Sequence, residues 1–102
     1  MKVFYTDQSL LSLEETVQFL LKQQGIPLSQ IDEIIIKLLN KADGLEMNPF
    51  LGQKEEYLEH LDKDHRRLIE GHFKIIYRIE DDKIYVTDFF DTRQDPDNMR
   101  GQ

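Results

Sequence analysis

The sequence predicts an α+β protein in two layers, ordered β-α-α-β-β-β, with a helical hairpin packed on one face of a mostly antiparallel sheet. Three observations lead there. Two runs, Phe73–Ile79 and Ile84–Phe90, are rich in β-branched and aromatic residues and flank the acidic turn Glu80-Asp81-Asp82-Lys83, the signature of a β-hairpin. Two upstream stretches carry apolar residues at helical spacing, and the short link between them makes them antiparallel neighbours. A short run at the start, Val3-Phe4-Tyr5, suits a first strand that joins the later hairpin in one sheet.

Taken in order, Lys2 to Thr6 is that strand, and Asp7 or Ser9 is placed to cap the helix that follows. Leu10, Leu13, Val17, Leu20 and Leu21 form its apolar face, Glu14, Glu15, Gln18 and Lys22 its polar one, and Gly25 stands where a left-handed C-terminal cap belongs. Ile26-Pro27 breaks the helix, because proline disfavours helical geometry in the residue before it. Ser29 with Asp32 is expected to restart it, and Ile31, Ile34, Ile35, Leu38, Leu39 and Ala42 then make a continuous stripe closed by Gly44.

Asn48-Pro49-Phe50-Leu51-Gly52 is turn chemistry around two apolar residues, and Phe50 and Leu51 are expected to fasten it to the core. Lys54 to Leu61 suits one or two helical turns. Arg66 to Glu70 opens a strand, and Gly71 allows a tight turn or bulge before Phe73. Within that next strand, a period of two puts Phe73, Ile75, Tyr77 and Ile79 on an apolar face and Lys74, Ile76 and Arg78 on a mixed, partly cationic one. One face is for packing and the other is free to bind. The chain reads as one domain, residues 1–102, with 97–102 a polar tail expected to fray.

Composition narrows the function. With 39% hydrophobic residues the chain is globular, and with no cysteine it has neither a disulfide framework nor thiolate chemistry. No apolar run approaches the roughly 18 residues of a membrane span, which points to a soluble cytoplasmic protein. The net charge of −7 is unevenly spread: residues 1–64 carry −6, residues 65–78 carry +3 and residues 79–102 carry −4. A protein that grips nucleic acid through phosphates gathers many cations on one surface. Here only Arg66, Arg67, Lys74 and Arg78 are gathered.

Catalytic motifs are absent. His60, His65 and His72 lack the spacing and carboxylate partners of a metal site, so no metal and no cofactor are expected. There is no P-loop, GxGxxG or GxSxG. The acid pairs Glu55-Glu56 and Asp81-Asp82 read as solvated surface and turn, and the strand aromatics as core.

The stretch Arg67-Leu68-Ile69-Glu70-Gly71-His72-Phe73-Lys74-Ile75-Ile76-Tyr77-Arg78-Ile79, its acidic turn, and Ile84 through Phe90 to Asp91-Thr92-Arg93-Gln94-Asp95-Pro96 resemble the C-terminal half of the RelE/ParE superfamily of bacterial toxins from type II toxin-antitoxin systems. The Asn48–Gly52 loop and the element order are similar too. The resemblance implies a protein that inhibits growth, serves plasmid stabilization and is neutralised by a cognate antitoxin.

Two branches of that superfamily work differently. RelE-like members cleave messenger RNA on the ribosome by driving the 2′-hydroxyl onto the adjacent phosphate, which needs a proton acceptor, a proton donor and cations on the phosphate. ParE-like members poison DNA gyrase by binding. If the chain were RelE-like, the resemblance would make Lys74 and Arg93 its catalytic cations, with Lys74 standing where ribonucleases usually have arginine. Either Glu55 or Glu56 falls near the acid of one ribonuclease subgroup. The tyrosine or histidine that several ribonucleases place a few residues further on has no counterpart in Gln94–Met99.

The acidic balance also opposes docking on RNA, since screening over a Debye length of about 8 Å removes only part of the repulsion. The reading is therefore ParE-like, with gyrase as target. Its alternatives are an mRNA endoribonuclease acting on ribosome-bound message, or a toxin-fold domain that has lost toxicity and serves as an antitoxin's partner. On each of them Arg67, Lys74, Arg78 and Arg93 are available to antitoxin or target carboxylates.

Overall fold

The computed structural model describes residues 1–102. Strand β1 (Lys2–Tyr5) leads into helices α1 (Asp7–Lys22) and α2 (Leu28–Asp43), and a 3₁₀ turn (Gly44–Glu46) leads on to the two-residue strand β2 (Gln53–Lys54). A 3₁₀ helix (Glu56–Leu61) precedes β3 (Arg66–Glu70), β4 (Phe73–Glu80) and β5 (Lys83–Asp91), and a last 3₁₀ turn spans Pro96–Asn98. The sheet runs β1-β5-β4-β3-β2, with β1 parallel to β5 and every other pair antiparallel. The α+β, two-layer class is as expected, with β2 added at one edge.

Helix ends differ from expectation in their chemistry. Thr6, rather than Asp7 or Ser9, caps α1: its Oγ1 accepts the Ser9 amide at 3.1 Å and donates to the Val86 carbonyl at 3.1 Å. One hydroxyl thus closes the helix and ties it to β5. Gly25 (φ +61) does terminate α1, letting the Ile26 amide reach the Leu20 carbonyl at 3.0 Å. Ser29 lies inside the first turn of α2, whose cap is Pro27, and Gly44 stays right-handed (φ −62) and continues into the 3₁₀ turn.

Between helices and sheet sits the main core, where Leu13, Leu38, Ala42 and Leu45 meet Leu68, Phe73, Ile75, Tyr77, Ile84, Val86 and Phe89. The β4–β5 hairpin turns through Asp81 and Asp82, both left-handed at φ 50 and 59, as a two-residue I′ loop demands. A bulge interrupts the pair: Tyr77 faces Val86 and Ile76 faces Asp88, which leaves Thr87 as the extra residue. Side-chain parity in β5 shifts there, so Val86 before the bulge and Phe89 after it reach the same core.

The opposite sheet face is not free. Ile76 and Phe90 are covered there by Leu58 and Leu61 of the 3₁₀ helix and by Met99. Burying each such side chain favours the folded state by about 1.5–3 kcal/mol. Residues 97–102, expected to fray, are docked: Met99 and Gly101 are buried, Thr87 Oγ1 donates to the Arg100 carbonyl at 3.0 Å, and the Arg100 amide donates to Asp88 Oδ2 at 3.0 Å. Polar composition suggested a tail; its one apolar side chain and one glycine are what let it seat.

His65 holds this segment from β3's flank. It is 2% exposed, and its Nε2–H donates to the Gly101 carbonyl, while Nδ1 is buried with no partner. Burial pushes its pKa down, against the Gly101 bond and with help from the positive charge of Arg78 and Lys63. The unfolded chain therefore takes up a proton that the folded chain refuses. Stability is full above the ordinary value of 6.5 and falls as pH drops below it, with a slope approaching about 1.4 kcal/mol per pH unit. Urea midpoints measured from pH 7.5 to 5.5 should show that decline, and it should flatten in His65→Gln; an equal decline in the variant would assign the effect elsewhere.

Candidate functional site

The cations of the outer face were expected to be available, and the structure pairs each of them within the chain. Arg67 and Lys74 project from β3 and β4 on the side of Ile76, since Arg67 stands opposite Ile76 and Lys74 opposite Ile69. Both converge on Glu55. Lys74 Nζ lies 2.7 Å from Oε1 and 3.3 Å from Oε2, and Arg67 Nη1 lies 3.1 Å from Oε2. Arg67 also donates to the Lys54 carbonyl at 2.5 Å, and Lys74 sits over the Tyr57 ring at 5.6 Å.

Glu55 was read as solvated and is instead buried, its side chain having no accessible surface. Its position follows from the local backbone. Glu55 is extended (φ −93, ψ 104), its amide donates to the His65 carbonyl at 2.8 Å, and the chain turns into the 3₁₀ helix immediately after it. The same turn leaves its neighbour Glu56 exposed. Two charge-assisted contacts offset the desolvation of the carboxylate.

Arg78 pairs with Glu80 at 2.9 Å, stacks on Tyr85 at 4.7 Å and donates to the Gln102 carbonyl at 3.3 Å. Arg93 forms a fork with Asp91, Nε to Oδ1 at 2.9 Å and Nη2 to Oδ2 at 2.7 Å. Burial alone would raise the Asp91 pKa, but the Arg93 bonds outweigh it and hold the carboxyl below its usual range, while the same bonds raise Arg93. Side-chain exposure separates the four: 22% for Arg67, 17% for Lys74, 12% for Arg78 and 48% for Arg93. Only Arg93 projects substantially into solvent.

Arg93 lies away from the Glu55 cluster, on the rim of a cleft of about 640 Å³ between α1, the end of β5 and the 93–100 segment. Asp88 lies in the same cleft at 3% exposure. Sequence reasoning set Glu55 or Glu56 near a ribonuclease acid but read both as solvated, and it missed Asp88. For Asp88 a signal existed, an acid within an otherwise apolar-aromatic strand. The Phe50 and Leu51 side chains, expected in the core, are 62% and 63% exposed, and Arg66 stacks on Phe50 at 5.3 Å. The loop is anchored instead at Gly52, whose amide donates to the Tyr77 hydroxyl at 2.8 Å and whose carbonyl accepts from Arg66 at 2.7 Å.

A helical hairpin laid on a five-stranded, mostly antiparallel sheet is compatible with the fold of the RelE/ParE toxins. The family model for the ParE toxin of type II toxin-antitoxin systems, parDE, matches residues 3–96, and the chain belongs to that family. No curated protein matches it. Family membership brings with it a cognate antitoxin as partner. No helix is long and apolar enough to cross a membrane.

Proposed function

We propose that the chain acts by binding, as a ParE-like toxin whose target is DNA gyrase and whose action its antitoxin suppresses. The supporting observation is the pairing of its cations. A ribonuclease must turn positive charge toward a phosphate and keep a proton acceptor within reach of the 2′-hydroxyl. Lys74 and Arg67 share Glu55, Arg93 is held by Asp91, and the Glu55 carboxylate has no surface through which to meet a substrate. The net charge of −7 works in the same direction. For contact with the antitoxin, Arg93 is the most exposed of the four cations and carries the surface role on this reading.

Induction of the chain alone in a bacterial host, with pulse labelling of DNA and protein synthesis, tests the target. DNA synthesis should stop first, and the purified chain should block supercoiling by gyrase and trap cleaved DNA. Early arrest of translation with cut messages would make the protein an mRNA endoribonuclease. Undisturbed growth would make it a non-toxic partner of its antitoxin.

A further inference from the structure

The cleft beside α1 holds the one buried carboxylate of the fold that no cationic side chain pairs. β1 ends at Tyr5, opposite Val86, so β5 continues from Thr87 to Asp91 with no strand on its outer edge. α1 lines that gap with Ser12, Glu15, Thr16 and Phe19, and the returning C-terminal segment lines it with Asn98 and Arg100. Asp88 sits between them.

Three carboxylates of this protein are buried, Glu55, Asp88 and Asp91. Glu55 has two cationic partners and Asp91 has one. Asp88 has none: it accepts the Arg100 backbone amide at 3.0 Å, but no lysine, arginine or histidine side chain pairs with it. Around the cleft Glu15, Asp88 and Asp91 stand against Arg93 and Arg100, and Arg93 is already committed to Asp91. Burial pushes the Asp88 carboxyl above its ordinary value, and the Ser12 hydroxyl, the Arg100 and Phe89 amides and the more distant Arg100 charge oppose that rise without cancelling it. A buried carboxylate without a counter-ion costs stability unless something else provides one.

We propose that the cleft between α1 and the end of β5 receives an arginine or lysine side chain of the antitoxin, with Asp88 as its counter-ion. The cleft volume of about 640 Å³ accommodates a long side chain with backbone on either side. Phe19, 37% exposed at the rim, offers an apolar surface to the aliphatic stem while the charged head reaches Asp88. A guanidinium suits this place best, since it can bond a carboxylate through two parallel N–H groups. The proposal rests on family membership and is independent of which cellular target the toxin has.

The test uses the full chain, labelled for NMR, and three probes: an acetylated and amidated Ala-Ala-Arg-Ala-Ala peptide, its glutamine counterpart, and butylguanidinium. The arginine peptide should produce saturable shifts at the Asp88 side-chain carboxyl carbon and at the Ser12 and Thr16 amides, and the glutamine peptide should not. Asp88→Asn keeps an oxygen for the Arg100 amide and should weaken the arginine peptide by about tenfold, a loss equivalent to about 1.4 kcal/mol. Phe19→Ala leaves Asp88 in place and should weaken it less. Equal binding of the two peptides, or of the arginine peptide to Asp88→Asn, overturns the site. Shifts spread equally over Asp32, Glu33, Asp81 and Asp82 reduce it to general surface attraction and also overturn it. Butylguanidinium binding as tightly as the peptide would make this a site for small cations and sink the polypeptide occupant. A chain that takes the arginine peptide yet leaves gyrase untouched would refute the proposed target alone.

Discussion

Replacing Glu55 by alanine is expected to lower the unfolding free energy by about 3 kcal/mol, a fall in Tm of about 12–20 °C for a domain of this size. The same change at Glu56, one residue on and exposed, should stay within about 0.5 kcal/mol. The contrast follows from what each side chain leaves behind. Without Glu55, Lys74 and Arg67 lose the one carboxylate they share and are left as two like charges with side-chain exposures of only 17% and 22%. The loss stays at the lower end for a broken buried ion pair because Lys74 can swing outward along the Tyr57 ring. Chemical denaturation of the two variants against the parent protein measures the difference. A Glu55→Ala loss under 1 kcal/mol would mean that both cations solvate readily, and they would then be available to an incoming anion after all.

That pairing marks where sequence reasoning stops. The β4–β5 hairpin was legible because its determinants are local: β-branched residues on either side of two aspartates able to adopt left-handed φ. The α2 stripe was legible for the same reason, and with the two strands it established the layers, while the toxin class came from the resemblance carried by Arg67 to Pro96. The state of Lys74 was not, because its partner is 19 residues away and arrives through a 3₁₀ turn with no periodic signal. Glu55 and Glu56 are chemically identical in the sequence, and only the extended backbone at one of them selects which is buried. The covered outer face was hidden likewise, since Leu58 and Met99 come from two separate irregular segments. Strand period alone distinguishes two faces; it does not say how many are covered.

Gly52→Ala is the second change expected to cost about 3 kcal/mol, and it tests which part of the Asn48–Gly52 loop anchors it. A β-carbon built at Gly52 would lie 2.6 Å from the Tyr77 hydroxyl, 2.7 Å from its ring and 2.7 Å from the Arg67 carbonyl oxygen. The carbonyl belongs to the sheet and Tyr77 is fully buried in the main core, so neither can retreat cheaply. Moving the loop instead would break the bond from the Gly52 amide to the Tyr77 hydroxyl and that from Arg66 to the Gly52 carbonyl, leaving buried polar groups unpaired. Phe50→Ala and Leu51→Ala, at the apolar positions that looked like anchors, should each cost less than about 1 kcal/mol because both side chains are more than half exposed. Gly44→Ala supplies the matching control: its backbone is right-handed and nothing lies within 4 Å of the new methyl, so it should be neutral or stabilise by about 0.4–1 kcal/mol. Thermal unfolding of the four variants decides the matter. If Gly52→Ala unfolds with Gly44→Ala near the parent temperature while Phe50→Ala falls well below it, the loop is held by its apolar side chains and the glycine is only a turn.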